Sequence, residues 1–268
     1  MKKVNRIITI LIFVFLYAPM AVLVVGSFNT GKDLTQFEGF TLMQYVEVFR
    51  DRSLLTLLGN SLLISILASG IATAFGTVAA VGIHSLKPRL RRTVMSLTNI
   101  PMTNPDIVTG ISLSLLFVFV GSKMLGQRNS LTFWTLLIAH ITFSLPYVIL
   151  NVMPKLQQMD RSLQDAAMDL GCTPIQSFFK VTIHEIMPGI VSGAIMAFTM
   201  SLDDFVISYF VTGLDFVTLP VEIYNYTKKP IQPKVYAMFT MLFLLIFVLM
   251  VTMNLLQLRQ DKGKERRK

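Results

Sequence analysis

The chain has 268 residues, 53% of them hydrophobic, and carries a formal net charge of +9. Its mean hydropathy of +0.62 means more apolar surface than one soluble core could hide from water. These values exclude an ordinary soluble globular domain and predict a polytopic membrane protein. The single cysteine, Cys172, excludes an intrachain disulfide.

Six apolar runs follow one another along the chain, and each predicts a transmembrane helix, because about 20 apolar residues cross the ~30 Å hydrocarbon layer. Four runs stand alone as spans, at residues 7–28, 60–83, 131–152 and 235–256. Residues 107–120, extendable back towards residue 97, and residues 190–211 complete the set. The predicted fold is therefore all-α, with a single transmembrane domain over residues 1–268.

Lys and Arg residues are distributed unequally between the two sides of such a bundle. One side holds the N-terminus, the loop at residues 87–92, the segment 153–187 and the basic tail at residues 257–268, and it has twice as many of these residues as the other. Cytoplasmic loops carry the excess of Lys and Arg, so both termini and the segment 153–187 are predicted to be cytoplasmic. Membrane topology therefore explains the net charge, and no nucleic acid partner is implied.

The sequence contains no pattern typical of an enzyme. Residues 26–33 approach the phosphate-binding loop G-x-x-x-x-G-K, but Asp33 replaces the Ser or Thr that holds magnesium, and no strand precedes the loop. The pair His184 and Glu185 lacks a second His four residues on, and there is no G-x-S-x-G elbow. We therefore predict no catalytic residue, no metal ligand and no cofactor on this chain. His140 has no second ligand at metal spacing and is expected to be a hydrogen-bonded core residue.

Carboxylates lie in or beside two of the predicted spans, whereas Lys and Arg lie in none of them. A carboxylate inside a span costs roughly 2.5 to 3.5 kcal/mol, so it normally faces the bundle interior or an aqueous path. Asp203 and Asp204, with Tyr209 close behind, are therefore predicted to line a pathway for a cationic solute, which acids and aromatic rings attract. Consecutive helical residues point about 100° apart, so both acids cannot face one narrow pore, and a helix-end cap is the alternative for one of them.

Asp106 is the third candidate pathway residue. It follows Pro101 and Pro105, and prolines in a span free backbone carbonyls that neighbouring helices or water must satisfy. Such a broken helix is typical of a cavity lining. The alternative is a span that starts near Ile107 and leaves Asp106 at the cytoplasmic boundary.

Residues 160–188 predict two short helices joined by a bend. The first contains Asp165 in a capping box and ends at Gly171, and the second starts with a capping box formed by Thr173 and Gln176. The first helix has about 8 residues and is only about 12 Å long, which is too short to cross a bilayer. We therefore predict an elbow outside the membrane.

This elbow resembles the Glu-Ala-Ala loop of permease subunits in bacterial ABC importers, the binding-protein-dependent family. The family pattern is E-A-A-x-x-x-G followed by an I-x-L-P stretch. The residues that fit it, with Asp in place of Glu, are Asp165, Ala166, Ala167 and Gly171. His184 stands where Pro is usual, and Pro188 follows as in many relatives.

The resemblance implies the type I permease fold of ABC importers, with residues 160–188 as a cytoplasmic coupling elbow that sits in a groove of the ATPase. The implied coupling residues are Asp165, Ala166, Ala167, Gly171 and Pro188. The implied partners are a homologous second permease, two cytoplasmic ATPase subunits that carry ATP and Mg²⁺, a periplasmic substrate-binding protein and membrane lipid.

The run SLDDFVISYFVTG at residues 201–213 resembles the polyamine branch of the same family. This implies that the chain forms half of a pathway for spermidine or putrescine across the bacterial inner membrane and hydrolyses nothing itself. Two alternatives stay open. One is a permease of this family for ferric iron, an opine or a sugar, and the other is an ion-coupled secondary transporter that needs no ATPase.

Overall fold

The computed structural model describes residues 2–31, 36–124, 126, 130–160, 162–213, 215–228 and 233–265. Within these ranges the regular structure is helical, apart from one isolated bridge between Asn29 and Phe40. Asp33 of the rejected phosphate-loop pattern and residues 266–268 of the predicted basic tail lie outside the described residues.

The helices follow the predicted apolar runs and divide some of them. They are α1 Lys2–Gly26, α2 Met43–Arg50, α3 Arg52–Ser85, α4 Pro88–Thr103, α5 Asp106–Phe119, α6 Phe133–Gln158, α7 Ser162–Asp169, α8 Pro174–Ser177, α9 Ile183–Asp203, α10 Val206–Val211, α11 Leu219–Thr227 and α12 Pro233–Glu265. A π-helical turn follows α5 at Val120–Met124, and another follows α8 at Phe178–Thr182.

Among the described residues, five helical stretches are long and apolar enough to cross a membrane. They lie at Val4–Gly26, Arg52–Ser85, Asp106–Lys123, Phe133–Gln158 and Pro174–Asp203. They confirm the predicted all-α, multi-pass architecture. The sixth predicted span falls in α12, whose apolar stretch Lys234–Val248 is shorter, so the count of six stays a prediction.

The chain forms two compact units, one of residues 1–56 and 224–268 and the other of residues 57–223. In the first unit, α12 packs against both α1 and α2. The Lys234 ammonium donates a hydrogen bond of 2.8 Å to Asp51 Oδ2 and holds the pKa of that carboxyl below its usual value. Ser27 Oγ lies 2.7 Å from the Tyr45 hydroxyl and joins the end of α1 to α2. The single transmembrane domain over residues 1–268 stays a prediction.

Helix α6 is central to the unit of residues 57–223, because it packs along α9 and also contacts α4 and α10. Glycines bring its neighbours close. A Cβ built on Gly76 of α3 would lie 2.8 Å from the Val148 Cβ, and one built on Gly193 of α9 would lie 3.1 Å from the Val148 Cα. Close backbone approach at small residues is how membrane helices gain packing contacts, since lipid supplies no hydrophobic drive between them.

Replacing Gly76 by Ala should destabilise the helix bundle. The new methyl would overlap Val148, whose β-branched side chain has little freedom to move, and overpacking of this kind costs about 1–3 kcal/mol. Gly82→Ala is the matched control, since it lies on the same helix and its Cβ would meet nothing within 4 Å. Thermal unfolding of the purified transporter should show a lower midpoint for Gly76→Ala only, and equal midpoints for both variants would contradict the packing account.

The segment 160–188 forms the predicted first helix, α7, and the predicted bend. Gly171 has a φ of +86°, and its N–H bonds back to the Met168 carbonyl, which ends the helix in a left-handed turn. The Thr173 hydroxyl accepts from the Gln176 N–H, and the Gln176 side chain accepts from the Thr173 N–H. The capping box predicted for Thr173 and Gln176 is therefore confirmed. The one predicted around Asp165 is not, because Ser162 is the first residue of α7 and its N–H donates to Asp160 Oδ1 at 3.0 Å.

The second helix is not the short arm that the sequence predicts. It starts at Pro174 and continues through the π-helical turn into α9, so that Pro174–Asp203 forms one helical stretch of 30 residues. His184 supplies the backbone N–H that a Pro at this position would lack, and Pro188 removes only one backbone hydrogen bond inside α9. The elbow therefore has one short arm, α7, and one arm that runs on into a membrane-length helix.

Candidate functional site

A cavity of about 330 Å³ lies between α4, α5, α6 and the junction of α9 with α10. Its lining residues are Met102, Asp106, Phe143, Tyr147, Met200, Asp203, Asp204, Phe205, Val206 and Ile207. The structure therefore brings Asp106 together with the adjacent pair Asp203 and Asp204, although Asp106 is far from that pair in the chain. No Lys or Arg is among these described lining residues.

The helix breaks between the two neighbouring acids. Asp203 is the last residue of α9, Asp204 has an extended backbone with φ −66° and ψ 120°, and α10 begins at Val206. The 100° spacing of a continuous helix therefore does not apply to this pair. Both acids line the same cavity, which corrects the expectation that they could not share one lining.

Asp204 caps the first turn of α10. Its Oδ1 accepts from the Ile207 N–H at 3.3 Å, and its Oδ2 accepts from the Ser208 N–H at 2.7 Å and from the Ser208 hydroxyl at 2.8 Å. A side-chain oxygen at this position satisfies N–H groups that have no partner within the helix. Asp204 thus has the helix-cap role considered for one of the two acids, and it also faces the cavity.

Asp106 is the first residue of α5. The preceding helix, α4, ends at Thr103, and Pro105 lies in the short connection between the two helices. The Asn104 amide donates to the Thr109 hydroxyl at 3.0 Å and links this connection to the first turn of α5. Helix α5 therefore begins within one residue of the alternative start near Ile107, and Asp106 nevertheless lines the cavity.

His140 is a buried, hydrogen-bonded residue of α6, as expected from the sequence. Its Nδ1 lies 2.7 Å from Ser201 Oγ, and its Nε2 lies 2.9 Å from Ser208 Oγ and 3.6 Å from Asp204 Oδ2. Ser201 precedes the helix break and Ser208 follows it, so His140 connects both sides of the break. Neither serine was predicted as a site residue, because small hydroxyl residues are common in apolar helices and signal no site.

Tyr209 is not among the residues that line the cavity. It is 41% exposed, and its ring contacts those of Phe205 and Phe210. The aromatic rings that do line the cavity belong to Phe143 and Tyr147, one turn apart on α6, and to Phe205. The four-residue spacing of Phe143 and Tyr147 was visible in the sequence, but nothing local indicated which face of α6 meets the acids.

The candidate coupling residues lie before the stretch Pro174–Asp203 and, for one of them, near its middle. They are Asp165, Ala166 and Ala167 on α7, Gly171 in the turn and Pro188 inside α9. Helix α7 has no buried residue, and two large apolar side chains beside the turn are strongly exposed, Leu170 at 88% and Ile175 at 71%. The Gln164 side chain donates to the Thr182 hydroxyl at 2.6 Å and ties α7 to the long helix.

Residues 72–265 match the family described as the binding-protein-dependent transport system inner membrane component. The chain belongs to this family. Its curated relatives include the putrescine transport system permease protein PotI of Escherichia coli (strain K12), which is 39% identical over 88% of this chain and 85% of its own length. Another is the spermidine/putrescine transport system permease protein PotC of the same strain, which is 34% identical over 94% of this chain and 93% of its own length.

Solved structures of related transporters share the fold. A bacterial ABC transporter for import of the acidic polysaccharide alginate matches with a TM-score of 0.75 at 16% identity, over 96% of this chain and 94% of that one. The MetNI methionine ABC transporter matches with a TM-score of 0.61 at 17% identity, over 81% of this chain and 98% of that one. The chain is thus a multi-pass, non-enzymatic membrane component of an ABC transport system.

Proposed function

We propose that this chain is one of two permease subunits of an ATP-driven importer and forms half of the pathway by which polyamines cross the inner membrane. The observation that carries the proposal is the cavity at which Asp106, Asp203 and Asp204 meet. Relatives that are named for putrescine and spermidine, at 34% to 39% identity over most of the chain, support the same cargo.

The chemistry of the cavity favours a solute whose positive charges are separated by an apolar chain. Carboxylates attract ammonium groups strongly where little water screens them, and the faces of Phe143, Tyr147 and Phe205 add cation–π attraction. Met102 and Met200 supply flexible apolar surface for a methylene chain. An anionic solute would be repelled by the three acids, and an uncharged solute would leave them without a counter-charge.

Energy coupling is assigned to partner chains. The exposed apolar side chains Leu170 and Ile175, at the turn between α7 and α8, form a surface suited to docking on an ATPase subunit that holds ATP and Mg²⁺. The excess of Lys and Arg supports a cytoplasmic position for this turn and both termini. A homologous permease and a periplasmic binding protein complete the proposed complex.

Uptake by cells tests the cargo. A strain without its own polyamine uptake, given the complete transporter, should accumulate labelled putrescine or spermidine, and an excess of unlabelled polyamine should abolish the signal. Sugars, opines and ferric iron, the alternative cargoes, should not compete. Competition by one of these in place of polyamines would contradict the proposed cargo while leaving the permease assignment intact.

A further inference from the structure

We propose that His140 is a positioning residue for Asp204. It holds the Ser208 hydroxyl so that this hydroxyl donates to the carboxylate facing the cavity. The inference rests on the proposed function, because it takes Asp204 to be the group that meets a cationic substrate.

The hydrogen-bond chain that runs from Ser201 through His140 and Ser208 to Asp204 is largely isolated from water. His140 is 1% exposed, Ser201 4% and Ser208 0%, whereas Asp204 lines the cavity. Buried polar groups depend on their protein partners, since no water replaces a lost hydrogen bond. The order of contacts is Ser201 to His140 at 2.7 Å, His140 to Ser208 at 2.9 Å and Ser208 to Asp204 at 2.8 Å.

The directions of these hydrogen bonds follow from the hydrogens that each group can donate. A serine hydroxyl has one hydrogen, and Ser208 donates it to the Asp204 carboxylate. The Ser208 oxygen must then accept from His140, which puts the imidazole hydrogen on Nε2 and leaves Nδ1 as the acceptor for Ser201. Every donor in the chain therefore points towards Asp204, and the network assigns the tautomer of His140.

The Ser208 hydroxyl and His140 add to the cap that the backbone N–H groups provide for Asp204. The Ile207 and Ser208 N–H groups hold Asp204 against α10 whatever His140 does, because they belong to the backbone. The Ser208 hydroxyl adds a third hydrogen bond, to Oδ2, and this bond further stabilises the orientation of the carboxylate. His140 fixes that hydroxyl, and it also spans the helix break through Ser201. His140 therefore acts on the cavity through Ser208 and does not contact the substrate.

Two polar, non-titrating replacements of His140 separate this role from simple packing. In His140→Gln the side-chain amide reaches about as far as Nε2 and can still donate to Ser208, whereas in His140→Asn it reaches only about as far as Nδ1. We expect the Gln variant to retain uptake within about twofold of wild type. The Asn variant should lose about tenfold in maximal uptake and in polyamine carried per ATP hydrolysed, with normal complex assembly.

A double-mutant cycle tests the route through Ser208. If His140 acts through that hydroxyl, His140→Asn should cause little further loss in a Ser208→Ala background. Ser144→Ala is the matched control, since Ser144 lies one turn further along α6 and is fully buried, and its hydroxyl has no hydrogen-bond partner among the described residues. It should leave uptake within about twofold of wild type.

The outcomes distinguish this inference from the proposed function. Equal uptake by the Gln and Asn variants, or a full tenfold loss from His140→Asn in the Ser208→Ala background, would overturn the positioning role alone. Normal polyamine uptake after replacement of Asp203 and Asp204 by Asn would overturn the proposed pathway, and the positioning role with it.

Discussion

Replacing Asp203 and Asp204 together by Asn should reduce polyamine uptake by about 100-fold or more. A hydrogen bond to a charged group contributes about 1.5–3 kcal/mol, and every 1.4 kcal/mol is about tenfold, so the loss of two carboxylates facing an ammonium group accounts for this size. Assembly should be unaffected. Asn is a comparable helix cap, and its single side-chain oxygen can still accept from one of the two N–H groups that Asp204 now caps, those of Ile207 and Ser208.

The controls for this experiment are single variants and an acid elsewhere. Asp215 is exposed and does not line the cavity, so Asp215→Asn should change uptake by no more than about twofold. The single replacements at positions 203 and 204 should each give a partial loss. Transport kinetics that stay at the wild-type level in the double variant, measured as initial uptake rates at equal amounts of assembled complex, would remove both acids from the pathway.

Replacing Gly171 by Val should uncouple ATP hydrolysis from uptake. Gly171 has a φ of +86°, and a Cβ at this position would meet nothing within 4 Å, so the whole effect comes from the backbone. A left-handed conformation costs an L-residue about 1–2 kcal/mol, and a β-branched residue tolerates it poorly. The turn should relax to another conformation and move α7 relative to Pro174, which would displace the proposed ATPase docking surface.

The rates of uptake and of ATP hydrolysis should change differently in the same preparation. Uptake should fall about tenfold while ATP hydrolysis by the assembled complex continues. Gly171→Asn should be mild, since Asn adopts the left-handed conformation readily. Gly126→Val imposes the same kind of strain outside the elbow, since Gly126 has a φ of +65° and also has open space around it, and it should leave coupling intact. Normal uptake by Gly171→Val would count against the elbow.

Local features of this fold were accessible from the sequence because their causes lie within a few residues. The capping box of Thr173 and Gln176 and the left-handed turn at Gly171 depend on side chains no more than one turn away. The multi-pass architecture follows from apolar length alone. The continuity of the helix past Pro188 was not accessible, because a proline inside a helix removes one hydrogen bond and neighbouring helices decide whether the chain tolerates it.

The cavity likewise combines features that the sequence predicts with features that only helix packing decides. Its acids were recognisable because charged residues are rare in apolar spans. A carboxylate inside a span is costly unless it faces the bundle interior or an aqueous path, and the three acids accordingly line one cavity. Tyr209 does not line the cavity, because neighbouring residues of α10 point about 100° apart and its side chain is largely exposed. Phe143, Tyr147 and His140 come from α6, and only the packing of α6 on α9 and α10 brings them to the acids.

The central claim is that ATP hydrolysis on partner chains drives a polyamine cation through this permease. The most direct measurement is accumulation of labelled putrescine in proteoliposomes that contain the complete transporter, with ATP supplied to the ATPase side. The account predicts accumulation that requires ATP, survives collapse of ion gradients by ionophores, and is lost when Asp203 and Asp204 are replaced by Asn. Accumulation driven by an ion gradient without ATP, or undiminished by those replacements, would contradict it.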